Sequence, residues 1–175
     1  MEVPGVLLTG TVGVGKTVLA TDAGALLATQ GRSPAVIDLD WLGWLHNGSG
    51  SSSDIEQLIQ QNLAAVWPNF LVRGADHVIL TRMIKDAAQI DAYRNSLAGV
   101  RLSMVRVTAS PDVIDERLRR RDAGEVLDEH LAARPEMTKG LDAADIEDFT
   151  IVNNDRPLRH VTLELLQQLG WRAER

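Results

Sequence analysis

Five short apolar runs with little alternation stand at residues 5–9, 35–39, 77–81, 102–108 and 149–152. Such runs suit strands covered on both faces, as in a parallel sheet. Between them the apolar positions fall at helical spacing. The first such stretch carries Leu19, Ala23, Leu26 and Leu27, with Gly31 placed to end it. The second opens at Ser53 with Glu56 three residues on, a capping box, and continues through Ile55, Leu58, Ile59 and Leu63 until Pro68 kinks or ends it. A third helix is predicted from about Asp86 to Leu97, before Gly99. The fourth starts at Ser110 with Pro111 in its first turn and turns Ile114 and Leu118 inward. The last begins near Pro157 and lays Leu158, Val161, Leu165 and Leu169 along one stripe. Strands alternating with helices predict one α/β domain of three layers around a mostly parallel sheet.

Two stretches break the pattern. Residues 46–53 (HNGSGSSS) read as a flexible loop. Residues 122–145 are polar and charged, with Gly124, Pro135 and Gly140 as breakers, and read as irregular. Both are expected to be mobile loops over a site.

Composition narrows the class. The chain has 175 residues, 45% of them hydrophobic and 24% charged, which is ordinary for a soluble globular domain. Its net charge of −6, from 18 basic and 24 acidic residues, argues against nucleic acid as a partner. Absence of cysteine excludes a disulfide framework and thiolate metal sites and fits a cytoplasmic location. No signal peptide is recognisable, and no uncharged apolar run approaches the roughly 18 residues of a membrane span, so no membrane association is expected.

Candidate chemistry begins at residues 10–17. GTVGVGKT matches G-x-x-x-x-G-K-[ST] in full, follows an apolar strand and opens an amphipathic helix. Gly10, Gly13 and Gly15 let the backbone curl so that N–H groups of the loop, from Gly10 through Val14 to Val18, face phosphate oxygens at a helix N-terminus. Lys16 is expected on the β- and γ-phosphates and Thr17 on Mg²⁺. The predicted ligand is therefore a nucleoside triphosphate with magnesium. The alternative is a glycine-rich strand–helix turn with a chance lysine. No N-K-x-D motif of guanine-specific switches occurs; the nearest segment is Asn153, Asn154, Asp155. The strand ending at Thr81 is followed by Arg82 rather than by the acidic residue that motor ATPases place there.

The phosphate loop, the Asp38-Leu39-Asp40 segment after the second strand and the arginine-rich helix after the fourth together resemble the small-molecule branch of the nucleoside-monophosphate-kinase-like family, which includes shikimate, gluconate and adenylyl-sulfate kinases and chloramphenicol phosphotransferase. Residues 38–42 (DLDWL) also resemble a segment of bacterial P-loop kinase-like proteins. The resemblance covers nearly the whole chain in layout. It implies a P-loop NTPase fold with a five-stranded parallel sheet in order 2-3-1-4-5, ATP as donor, and a lid, here placed at about residues 117–145.

The remaining candidates admit two readings each. Asp38 and Asp40 either end a strand or serve a site, with Asp38 on the magnesium ion and Asp40 on the acceptor hydroxyl. Trp41 and Trp44 either wall an acceptor pocket or pack a short helix. Among Arg117, Arg119, Arg120 and Arg121, the pair Arg117 and Arg121 shares a helix face and suits phosphate oxygens; a solvated face paired with Asp115, Glu116 and Asp122 is the alternative. Arg134 is a further lid candidate. Arg82 lies at the ligand edge, where the family resemblance implies an acceptor-holding arginine, or is a surface residue. Asn154, within residues 153–156, lies where the family wraps adenine. His46, His77, His130 and His160 show no metal-ligand spacing. The expected activity is ATP-dependent phosphoryl transfer to an unidentified small-molecule hydroxyl by a monomer or homodimer, with Lys16, Asp40 and Arg121 at the reaction. The alternative is a nucleotide-binding or ATP-hydrolysing regulatory protein without an acceptor.

Overall fold

The architecture comes from a computed structural model, which describes residues 2–45 and 52–171. Five parallel strands, β1 (Val3–Thr9), β2 (Pro34–Asp38), β3 (His77–Thr81), β4 (Val100–Thr108) and β5 (Phe149–Val152), form one sheet in the order β2-β3-β1-β4-β5. Strand parity assigns each side chain to a layer. Val6 and Leu8 of β1, Ile79 of β3 and Val105 and Val107 of β4 face one side; Leu7, Val78, Leu80, Leu102 and Met104 face the other. On the first side pack α1 (Lys16–Thr29), α4 (Pro111–Arg121) and α6 (Leu158–Gln168), and on the second α2 (Ser52–Val72) and α3 (Ala87–Ser96). Both faces are covered, which is why the strand segments read as continuous apolar runs. The three layers and the strand order are those expected.

Three local expectations change. β2 ends at Asp38, and Leu39–Gly43 form a 3₁₀ turn whose first N–H groups include that of Asp40, donated to the Asp38 side chain at 3.2 Å. Pro68 does not end α2, which runs on to Val72. Pro68 and Ala64, whose carbonyl loses its N–H partner to the proline, both lie on the exposed face, where water can take over. The stretch at 122–145, read as irregular, is mostly a helix, α5 (Gly124–Ala144). Leu127 and Leu131 pack against the core and Leu141 is itself buried, while polar ties hold the helix to its neighbours: Arg134 to Asp115 of α4 at 2.8 Å, and Arg106 of β4 to Asp142 at 2.5 Å. The expected loop at 46–53 lies outside the described residues except for residues 52–53, which open α2.

Helix α1 approaches the edge strand through Gly24. A Cβ there would fall 2.6 Å from Val36 Cγ2. Gly24→Ala is therefore expected to destabilise the domain: the roughly 1 kcal/mol of helix propensity gained is outweighed by overpacking worth about 1–3 kcal/mol. In a Val36→Ala background the same substitution should stabilise. A double-mutant cycle by urea denaturation measures both, and stabilisation by Gly24→Ala alone would contradict the contact.

Candidate active site

β1 ends at Thr9 and α1 begins at Lys16, so the motif residues turn the chain from strand to helix. Gly10 (φ 143°) and Gly15 (φ 93°) occupy backbone conformations that side chains rarely adopt. A Cβ at Gly10 would fall 2.3 Å from the Val107 carbonyl oxygen, and one at Gly15 2.6 Å from Asn153 Nδ2. The turn is thus pressed against β4 and the segment after β5. Asn153 is buried; its backbone N–H donates to the Thr108 carbonyl at 2.7 Å, and Nδ2 donates to the Val14 carbonyl at 2.8 Å. Arg117 of α4 reaches the same carbonyl at 3.4 Å and the Asn154 carbonyl at 3.3 Å. Asn154 itself accepts the Ser110 N–H at the start of α4, 2.8 Å away.

Lys16 Nζ donates to the carbonyls of Gly10 (2.9 Å) and Thr11 (3.0 Å). Burial of the ammonium pushes its pKa down to about 8, against the opposing pull of Asp40 and Asp38 and with the help of Arg121. The first turn of α1 carries no acidic residue, so the helix N-terminus and Lys16 concentrate positive potential at the loop. Thr17 Oγ1 donates to Asp38 Oδ2 at 2.8 Å. A hydroxyl and a carboxylate are hard oxygen donors that fit magnesium, which keeps most of its water. Among the described residues no cluster of three or more His, Asp or Glu side chains could bind a metal unaided.

Arg82 follows β3 and is almost fully enclosed, at 14% side-chain exposure. Its Nε and Nη2 both donate to Glu56 Oε1 of α2, the former at 3.0 Å, and its Nη1 donates to Asp40 Oδ1 at 2.5 Å. Glu56 Oε2 accepts the hydroxyl of buried Tyr93 at 2.8 Å, and burial raises the tyrosine pKa well above its ordinary value. The Asp40 carboxylate lies at the mouth of a cleft with 66% of its side chain still open. Partial desolvation raises its pKa, Asp38 adds to the rise, and Arg82 and Lys16 oppose it.

Two clefts meet at this point. One, of about 840 Å³, is lined by the phosphate loop with Lys16 and Thr17, by Asp38, Asp40 and Trp41, and by Arg117 and Arg121. The other, of about 640 Å³, lies between α2 and the β3–α3 connection and is lined by Asp40, Glu56, Gln57, Gln60 and Arg82. Asp40 and Met83 line both.

The structure therefore brings Gly13, Gly15, Lys16, Thr17, Val18, Asp38, Asp40, Trp41, Arg117 and Arg121 to one cleft and puts Arg82 in the adjoining one. Gly10 and Val14 lie behind the loop as its packing contacts. Asn153 rather than Asn154 lines the cleft. Trp41 and Trp44 are exposed and pack on each other with ring centroids 4.4 Å apart, so core packing is not their role. Arg134 is engaged by Asp115. Sequence reasoning missed Glu56, Tyr93 and His130. Glu56 looks like a capping residue, and nothing local marks its bond to an arginine 26 residues away. His130, 2.7 Å from Asp122, lines the first cleft.

Asn153 fixes the loop through one buried hydrogen bond, and its loss leaves the Val14 carbonyl with only the longer Arg117 contact. Asn153→Ala should lower unfolding stability by about 1–3 kcal/mol. Asn153→Asp, isosteric but unable to donate, should lose at least as much. Urea denaturation of both variants is the check, and a wild-type-like Asn153→Asp would show the contact to contribute nothing.

No family model matches this chain, and no curated protein matches it. Solved structures do. A tunicamycin resistance protein of Deinococcus radiodurans is 20% identical with a TM-score of 0.68, over 98% of this chain and 98% of that one. A shikimate kinase of Bacteroides thetaiotaomicron is 20% identical with a TM-score of 0.66, over 97% and 99%. The APS kinase of Mycobacterium tuberculosis, solved with AMPPNP and APS, is 22% identical with a TM-score of 0.66, over 97% and 98%. End-to-end coverage in each case shows that the chain has the fold of the P-loop kinases.

Proposed function

We propose that this chain is an ATP- and magnesium-dependent phosphotransferase acting on a small-molecule hydroxyl. The observation that carries the reading is the position of Asp40, at the junction of the phosphate-loop cleft and a second polar cleft. A nucleotide-hydrolysing regulatory protein would use the same loop. The second cleft, whose arginine is bonded to the junction carboxylate, favours the kinase.

In this reading the loop N–H groups, the α1 N-terminus and Lys16 hold the β- and γ-phosphates. Thr17 and Asp38 would hold magnesium, which would supply neutralisation of phosphate charge. The acceptor hydroxyl enters from the second cleft and donates a hydrogen bond to Asp40. Its oxygen forms a bond to the γ-phosphorus as the bond from that phosphorus to the β–γ bridging oxygen breaks; ADP departs and the hydroxyl proton passes to Asp40 and on to solvent. The Asp40 carboxylate, whose pKa partial desolvation raises, stands where it can accept that proton. Trp41 offers the acceptor a flat apolar wall. Arg117 and Arg121 meet the charge that develops on the transferred group. Residues 117–145, now α4's end and α5, act as the lid.

Three substitutions separate these roles. Lys16→Ala should abolish turnover with the fold intact, since its ammonium meets main-chain carbonyls at the cleft and not the core. Asp40→Asn should slow transfer by about 10²–10⁴-fold with nucleotide binding nearly unchanged. Asp38→Asn should weaken the magnesium dependence of nucleotide binding. Metal titrations and transfer rates for all three provide the readout, and full activity in both aspartate variants would refute the assignment.

The lid reading predicts that backbone amide exchange across α5 slows when a non-hydrolysable ATP analogue binds. Identical exchange with and without the analogue would show that this helix does not close.

A further inference from the structure

The second cleft carries a charge pattern that selects among acceptors. Arg82, its enclosed cation, already binds two carboxylates: three of its five N–H groups go to Glu56 and Asp40. An acidic acceptor seeking this guanidinium must displace Asp40 or crowd against both carboxylates at contact distance. The other cation in the lining, Lys85, is exposed, and a solvated ammonium adds little attraction. Lining charges therefore cancel, two acidic against two basic. What the wall offers instead is neutral. Gln57 and Gln60, on one face of α2, bear no hydrogen bond to other described residues, and each amide can both donate and accept. Hydroxyl groups match such a surface, because each can donate to a carboxylate and accept from an amide. The volume of about 640 Å³ suits a ligand of one or two rings.

On these grounds we infer that the acceptor is an uncharged, polyhydroxylated small molecule, and that Gln57 and Gln60 recognise its hydroxyls while the Arg82–Glu56 pair excludes acids. The inference rests on the phosphotransferase reading. Arg82 is then a positioning residue: it orients Asp40 and offers no anion site. The reaction is the one described above, with the γ-phosphoryl group passing to one hydroxyl oxygen of the neutral molecule and its proton to Asp40.

The test uses matched pairs that keep every hydroxyl and differ only in carboxamide against carboxylate: glucuronamide with glucuronate, and gluconamide with gluconate, each at equal concentration with ATP and magnesium. Phosphorylated product is quantified by mass spectrometry and ADP release is followed in parallel. The neutral members should exceed their acidic partners by at least about tenfold in kcat/KM. Glu56→Gln, which removes one of the two charges facing Arg82, should narrow that ratio by raising the acidic members. Gln60→Ala should raise KM for the neutral acceptor about tenfold with little change in kcat, the signature of a lost ground-state contact. If Glu56→Gln does not fold, the wild-type ratio and the Gln60→Ala split decide the matter. Equal or better transfer to the acids overturns the inference while leaving the kinase reading in place. ADP release without phosphorylated product from any pair overturns both.

Discussion

A guanidinium enclosed to the extent of Arg82 is stable only when its charge is matched, and the partners it takes fix the geometry around the sheet's carboxyl-terminal edge. Glu56 comes from α2, Asp40 from the 3₁₀ turn after β2, and the Tyr93 hydroxyl, bonded to Glu56, from α3. Four segments separate in sequence are thereby tied at one point. Breaking a buried pair by removing one member typically costs about 3–5 kcal/mol, so the network sets positions rather than merely decorating them. Asp40 stands where the two clefts join because Arg82 holds it there.

The phosphate loop is positioned by different physics. Its shape comes from glycine dihedrals and from main-chain carbonyls tied to Asn153 and Arg117, with hardly any charge pairing. The two regimes meet in the Asp38–Asp40 turn. Asp38 accepts both the Thr17 hydroxyl and the Asp40 N–H, so one carboxylate links the loop helix to the turn that carries the other. A slip in either cleft would be felt in this turn, and the short 3₁₀ segment leaves it little freedom to adjust.

What could be read in the sequence follows from whether the cause was local. The loop motif, the apolar strands and the helices beginning at Ser110 and Pro157 are written in neighbouring residues, and they appear as expected. The run at residues 35–39 reads as strand through Leu39, but the chain leaves the strand at Asp38, and the 3₁₀ turn decides where Asp40 lies. Helix α5 was hidden because its apolar contacts are sparse, Leu127 and Leu131 packing on the core and Leu141 buried; ion pairs to other elements supply the rest. Proline 68 misled for a related reason: its cost is real, but the orphaned carbonyl faces water. Nothing local marked the bonds of Glu56 to Arg82 and Tyr93, since they exist only once α2, α3 and β3 are side by side.

Arg121 of α4 shows how an acidic chain keeps a cation beside the cleft with its charge compensated. Arg121 grips Asp122 through Nε and Nη2 at 2.7 and 2.8 Å, and the Asp122 carboxylate, only 10% exposed, also meets His130 Nδ1 at 2.7 Å. Arg121 first and His130 second hold that carboxyl far below its usual pKa. An arginine that turned from Asp122 toward a phosphoryl group would not strand an enclosed carboxylate, because His130 on α5 remains as its partner. Without that second partner the same movement would leave the carboxylate to water alone. The histidine thus lowers the penalty for exchanging partners, and it does so from the helix that borders the cleft. The geometry couples the freedom of Arg121 to the docking of α5 against α4.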